Sequence, residues 1–404
     1  MHLLRKTLLP TLLLIALAAC EEENKEPSNQ LNVPASYQFE RQGSSTVAFP
    51  GQTIRLKMAM ELANGMLDFS KDSATLLAQY ANQGPNGGDV APFDETSLNN
   101  SQKSLQSKTA ASALYFASNA TETAAIRADF RSWISAQANT VFPAQNQAAA
   151  PGQPGQIADG TSVRYVNAKG LEYDQMLAKS LIGALMADQA INNYLTPGVL
   201  DAGNNRRDND AGTAAPDAAY TTMEHKWDEA YGYVFGLAPN AADPLATLGE
   251  DDDFLNKYLS KVDQKPAFNG IAQDVFDAFK RGRAAIVAGQ YGERDAQAAI
   301  IQKKISRLIA IMAVHYLNTG AEALRNNEQG TAFHQLSEAM GFLYSLRFTH
   351  NPATNSPYFE KTEVESMLQQ TYPDQDGFWN LQASDLEALA QQIANRFSFD
   401  PSQV

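Results

Sequence analysis

The chain has 404 residues, a single cysteine and a formal net charge of −14 at pH 7. A protein this acidic repels phosphate groups, so the composition argues against a nucleic-acid partner. One cysteine cannot form a disulfide within the chain, and it cannot supply a cysteine-based metal cluster. The length is sufficient for one large domain or two fused ones.

Residues 1–19 are typical of a secretory signal peptide. Arg5 and Lys6 precede an apolar run that is too short for a membrane span. The run ends in Leu-Ala-Ala-Cys, which resembles a bacterial lipobox and makes Cys20 the predicted lipidation site. Lipid chains there would hold the protein at a membrane without spanning it. Because Glu21 and not Asp follows the cysteine, we expect the protein to be anchored in the outer membrane of the cell envelope. It could face either the periplasm or the cell exterior.

Residues 20–47 are polar and acidic and contain Pro27 and Pro34. This composition predicts a flexible tether between the lipid anchor and the globular body. Residues 48–404 are then the folded domain.

Apolar residues at helical spacing recur through most of this domain. The predicted helices are 52–69, 101–117, 121–138, 171–195, 218–236, 254–262, 271–289, 296–318, 332–346, 362–370 and 383–396. Residues 143–159 show no periodicity and are predicted to form a loop. Few stretches alternate with period two, so the predicted fold class is an all-α helical bundle with an N-terminal helical extension.

One sequence pattern occurs twice. Residues 225–235 and 334–344 both read His, three residues, Glu-Ala, one residue, Gly, aromatic, one residue, aromatic. The recurrence predicts two internally duplicated helical repeats, at about 170–265 and 292–375. Gly232 and Gly341 occupy matching places and are predicted to let another helix pack closely.

Each copy also places a histidine and a glutamate four residues apart, which is one face of a helix. Imidazole nitrogen and carboxylate oxygen together suit Fe, Zn, Mn or Co. The candidate metal ligands are His225, Asp228, Glu229, His334 and Glu338. The two sets could form two sites or opposite walls of one site. Alternatively, each Glu only accepts a hydrogen bond from its His and satisfies a buried polar group.

The other two histidines beyond the signal are not predicted to be metal ligands. His315 follows a long apolar run and is expected to be a core residue. His350 precedes Asn-Pro and is expected to lie in a solvent-facing loop. Phe378 and Trp379 are expected in the core, but they would suit a protein or glycan partner if exposed.

The lipobox, residues 169–173 and residues 224–233 resemble a domain-of-unknown-function family of Gram-negative lipoproteins. More distantly, the plan is similar to that of the imelysin family, whose members are helical proteins of two bundle repeats associated with iron uptake. The resemblance implies an iron site, because the imelysin signature Gly-x-His-x-x-Glu supplies proposed metal ligands. His225 matches the histidine of that signature, with Asp228 at the glutamate position.

The match to the imelysin signature is incomplete. Met223 stands at the glycine position, and Ser337 stands three residues after His334, where the signature has Glu. The pairing of His and Glu four residues apart would then take the place of the family motif.

We therefore expect an extracytoplasmic lipoprotein that binds a metal ion, with iron favoured, or a metal-containing ligand. Proteins of metal uptake are its expected partners. One alternative is a structural or protein- or glycan-binding lipoprotein. A metallopeptidase is the weaker alternative, because the zincin helix needs a second histidine four residues from the first. No catalytic residue is predicted.

Overall fold

The computed structural model describes residues 31–84 and 86–404. The predicted signal peptide and Cys20 lie outside these residues. The described chain is mostly helical, which confirms the all-α class. Its α-helices are α1 Pro50–Gly65, α2 Ser73–Ala81, α3 Thr96–Asn99, α4 Ala120–Ala136, α5 Tyr173–Leu181, α6 Pro197–Leu200, α7 Asn205–Asp210, α8 Thr222–Phe235, α9 Leu255–Asp263, α10 Ile271–Val287, α11 Tyr291–Arg325, α12 Gln329–Ser345, α13 Lys361–Thr371 and α14 Ala383–Arg396.

Helix α11 is the centre of the bundle. It has 35 residues, which at 1.5 Å per residue is roughly 50 Å. Residues 308–314 are buried on every side of the helix, as expected of a helix enclosed by others. Helices α10, α12 and α14 pack directly on it, and α12 also packs on α5.

Helix α5 continues into two π-helical stretches, Ile182–Ala187 and Ala190–Tyr194. Together they confirm the predicted helix at 171–195. Gly183 lies against α12, where its N–H donates to Ser345 Oγ at 3.1 Å. A Cβ at Gly183 would lie 2.5 Å from the Ser345 Cα, so glycine allows this close approach.

The predicted helix at 101–117 is wrong, because its backbone groups bond to other parts of the fold. Ala110 has a φ of 47°, outside the helical region. Its N–H donates to the Ala184 carbonyl at 2.7 Å, and the next two N–H groups donate to the buried Asp188 carboxylate. Tertiary partners therefore replace the intrahelical ladder here.

The predicted loop at 143–159 is also partly wrong. Strands β1 (Glu40–Arg41) and β2 (Ser44–Ser45) form one short hairpin, and β3 (Gly155–Asp159) and β4 (Ser162–Val166) form a second one. The second hairpin is antiparallel, with Asp159 opposite Ser162 across the turn. Gly160 has a φ of 57°, which glycine adopts readily.

Residues 37–47, assigned to the tether from their composition, pack on the body instead. Tyr37 is 2% exposed and stacks on Tyr231 of α8 with ring centroids 3.7 Å apart. Arg41 forms an ion pair with Glu224 at 2.8 Å. In the described part of the chain, no helix is long and apolar enough to cross a bilayer.

Candidate functional site

The first His–Glu pair lies on α8, and its side chains are bound to other parts of the protein. His225 Nδ1 lies 2.9 Å from the Ala48 carbonyl, and its ring stacks on Tyr220. Glu229 accepts hydrogen bonds from Lys226 at 2.7 Å and Gln52 at 3.1 Å. The pair thus fastens the segment around residue 48 to α8.

Asp228 faces a fully buried charge network, not a shared site with His225. Its Oδ1 accepts hydrogen bonds from the Tyr37 hydroxyl at 2.7 Å and from Arg283 Nε at 3.1 Å. Arg283 also pairs with Glu224 at 3.0 Å, and none of these three charged side chains is exposed. Burial raises the pKa of Asp228 to about 6, whereas Arg283 and Arg41 outweigh burial and lower the pKa of Glu224.

The second pair lies on α12 and faces α5. His334 Nδ1 is 3.1 Å from Glu172 Oε2, and its Nε2 is 3.9 Å from Glu338 Oε2. Burial lowers the pKa of His334, but the hydrogen bond to Glu172 together with the charges of Glu172 and Glu338 outweighs burial, so the pKa is raised. Glu338 in turn binds Lys179 Nζ and the Tyr258 hydroxyl, each at 3.1 Å. His334 therefore lies between two carboxylates, close to a buried ammonium.

His334 and Glu338 line a cavity of about 490 Å³, which we call the His334 cavity. Its walls come from α1, α5, α9, α11 and α12. Leu67 at its edge is 49% exposed, so the cavity reaches solvent. The other lining residues are Ala63, Asn64, Asp174, Gln175, Ala178, Lys179, Asp253, Lys257, Lys261, His315, Tyr316 and Gln335.

The cavity is strongly polar. Burial, followed by the nearby Glu172 charge, raises the pKa of Asp174 to about 7, well above the usual range of an aspartate. Burial lowers the pKa of His315 to about 4, helped by Lys265 and Lys261, so His315 is neutral. Burial likewise lowers the pKa of Lys261.

The five candidate metal ligands are not brought together. Only His334 and Glu338 line the His334 cavity, and the three candidates of α8 have other partners. Across residues 31–84 and 86–404, no three His, Cys, Asp or Glu side chains are arranged to bind one ion.

The two remaining histidines differ from expectation. His350 is buried at 2% exposure, and its Nδ1 lies 2.8 Å from the Tyr115 hydroxyl, so the prediction of a solvent-facing loop is wrong. His315 is half-buried in the cavity wall and is not a core residue. Phe378 is buried as predicted, and the Trp379 indole N–H donates to the Ala168 carbonyl.

We expect His350→Asn to reduce the loss of stability on acidification. Burial lowers the pKa of His350 to about 4 from a usual 6.5. Between these values the unfolded chain binds a proton that the folded chain does not, so unfolding becomes more favourable as the pH falls. Urea unfolding at pH 7, 5.5 and 4 should show a shallower decline for the variant.

His334→Gln is a control for which we expect the opposite change in the pH dependence of stability. A raised folded-state pKa stabilises the fold below the unfolded pKa, and that contribution is lost as the pH rises through the folded value. Removing His334 should therefore steepen the decline on acidification. Equal slopes for His350→Asn and the wild type would contradict the assignment of a buried neutral His350.

The sequence patterns missed the positive charges of the cavity. Lys257 and Lys261 are spaced at i and i+4, which places them on one face of α9. This spacing was a usable signal. No sequence signal pointed to Lys179, because its proximity to Glu338 depends on how α5 packs against α12.

A protein-family model matches most of the chain. The family model described as "Domain of unknown function (DUF4856)" matches residues 34–400. No curated protein and no solved structure matches the chain.

Proposed function

Because the chain belongs to the DUF4856 family, whose description assigns no activity, we propose a function from the site itself. The protein is a binding protein of the cell envelope, attached through Cys20, and its ligand occupies the His334 cavity. One observation carries the proposal: about 490 Å³ of space is lined by charged side chains from several helices. This volume lies within the roughly 300–1,000 Å³ typical of small-molecule sites.

The arrangement around His334 supports a prepared site. Glu172 and Glu338 approach its two ring nitrogens, and Glu172 Oε1 is a buried acceptor without a hydrogen-bond partner in the protein. A buried polar atom without a partner is costly, and because Glu172 does not itself line the cavity, a water molecule beside His334 would stabilise this atom. The His–Glu geometry on α12 thus serves recognition, whereas the pair on α8 serves packing.

Metal acquisition remains part of the proposal in a narrower form. The residues do not fit a bare ion, because no third protein ligand joins His334 and Glu338 in a suitable arrangement within the described chain. Lys179 Nζ, 3.1 Å from Glu338 Oε1, adds a positive charge that would repel a cation. A metal-containing ligand that brings its own coordinating groups fits better. Iron is then delivered within such a ligand, and uptake proteins are its partners.

We also infer the duplication of a helical unit. The two His–Glu segments fold as α8 and α12, and both carry a glycine at a close helix contact in the same relative place. A Cβ at Gly232 would lie 2.6 Å from Phe49 Cβ, and one at Gly341 would lie 2.4 Å from Lys179 Cβ.

The proposed binding site can be tested with a variant in which the cavity is blocked. Asn64 lines the cavity and is exposed, so Asn64→Trp should fill the entrance without disturbing the core. Protein purified natively without chelators would be subjected to elemental analysis, and small molecules released by denaturation would be identified by mass spectrometry. We expect a bound compound in the wild type and at least a tenfold loss in Asn64→Trp.

The matched control is Gln369→Trp, which places the same side chain at an exposed position of α13. It should retain the compound at the wild-type level. Equal content in all three proteins, or no bound compound or metal in the wild type, would contradict the proposed site.

A further inference from the structure

Three lysines and three carboxylates line the His334 cavity, but one of the lysines, Lys261, forms no ion pair with them. Lys179 pairs with Glu338, and Lys257 pairs with Asp253 at 2.7 Å. Within residues 31–84 and 86–404, no carboxylate lies within 4.0 Å of the ammonium groups of Lys261 or Lys265. Lys261 on α9 therefore presents a positive charge to the cavity without an ion-pair partner among the described residues.

Lys261 holds its position through aromatic side chains. Its Nζ donates to the Tyr316 hydroxyl at 3.0 Å and lies 5.1 Å from the centre of the Tyr258 ring. Tyr316 in turn donates to the Tyr258 hydroxyl at 3.4 Å. These contacts fix the ammonium but leave its charge unneutralised, since a phenol carries no charge at neutral pH.

His315 adds a neutral donor to the same wall. Its Nδ1 lies 3.4 Å from Lys265 Nζ, and an ammonium can only donate. Nδ1 is therefore the acceptor, and the proton of the neutral ring is on Nε2. This N–H is a further hydrogen-bond donor in the cavity wall, next to Lys261.

Asp174 forms no ion pair with Lys261, and burial raises the pKa of Asp174 to about 7. The cluster is unusual in a protein with a formal charge of −14, whose overall field disfavours anions. Ammonium groups in a partly buried, low-dielectric site bind anionic oxygen more strongly than they do on an open surface.

We infer that the ligand of the His334 cavity is a small anion, bearing carboxylate or phosphate groups that bind Lys257, Lys261 and the His315 N–H. This inference rests on the proposed function, since it assigns the ligand class of the same cavity. It also agrees with a metal-containing ligand, because carboxylates that chelate a metal leave net negative charge for the lysines.

The experiment is calorimetric titration of the mature full-length protein at low ionic strength, with citrate and inorganic phosphate as separate probes. Lys261→Met removes the unpaired charge and keeps an apolar chain of similar length. We expect at least tenfold weaker binding of the preferred probe by this variant. A preference for citrate indicates a carboxylate ligand, and a preference for phosphate indicates a phosphate ligand.

Lys303→Met is the matched control, because Lys303 is an exposed lysine of α11 that does not line the cavity. Its affinity should equal that of the wild type. The inference is overturned if neither probe binds, or if both variants weaken binding equally.

Failure of this inference is distinguishable from failure of the proposed function. A neutral or cationic compound released from the wild type, and absent from Asn64→Trp, would leave the binding function intact and refute the anionic ligand. Absence of any cavity-dependent compound, together with no binding of either probe, would refute both.

Discussion

Arg283→Met is expected to lower the free energy of unfolding by about 3–5 kcal/mol, because removing one partner of a buried ion pair leaves the others uncompensated. Arg283 is fully buried between Glu224 and Asp228. Its guanidinium also donates to the Thr46 hydroxyl at 3.0 Å. Methionine occupies a similar path through the core but offers no donor to either carboxylate.

Arg281→Met is the matched control on the same helix. Arg281 pairs with Glu293 at the surface, where 49% of its side chain is exposed. Exposed pairs of this kind contribute about 0–1 kcal/mol. Urea unfolding of both variants at pH 7 would measure the difference. A loss below about 1 kcal/mol for Arg283→Met would show that the buried network contributes little to stability.

Gly341→Ala is expected to lower the free energy of unfolding by about 1–3 kcal/mol, the usual range for overpacking a core. The added Cβ would lie 2.4 Å from Lys179 Cβ and 3.0 Å from the Met176 carbonyl oxygen. Because the second neighbour is backbone, α5 and α12 must separate. The expected loss is net of the roughly 1 kcal/mol that alanine gains over glycine in a helix.

Gly292→Ala is the control, since Gly292 lies within α11 and a Cβ added there would meet no atom within 4 Å. This substitution should leave stability unchanged or raise it by up to about 1 kcal/mol. Thermal unfolding of the two variants would compare them under one condition. If Gly341→Ala were as stable as Gly292→Ala, the close α5–α12 contact would not be a constraint on the fold.

Helical periodicity predicted most of the fold because most of the helices bury one apolar face. Helix α14 begins and ends where the sequence predicts, at 383 and 396. The segment at 101–117 failed for a different reason: its backbone partners, including Asp188, are remote in sequence. Local composition carries no information about such partners.

The candidate site was predictable only in part. The recurrence singled out His334 and Glu338, which do line the cavity. It could not separate them from His225 and Glu229, because an identical local pattern occupies a different tertiary environment on α8. The two copies differ in the part of the chain that packs against them. Helix α5 packs on α12 and brings Lys179 to Glu338, whereas the N-terminal segment packs on α8.

The N-terminal segment that packs on α8 also determines where a pulling force on the N-terminus would enter the folded domain. Tension applied to the N-terminal end of this segment reaches the bundle through the bond of the Ala35 carbonyl to Lys280 of α10, through the Tyr37–Asp228 bond and through the Arg41–Glu224 ion pair. The bonds of Tyr37 and Arg41 end on Asp228 and Glu224 of α8, and both of these carboxylates pair with the buried Arg283. Under the proposed attachment through Cys20, strain on the anchor would enter the body through α8 and α10, at residues that do not line the His334 cavity.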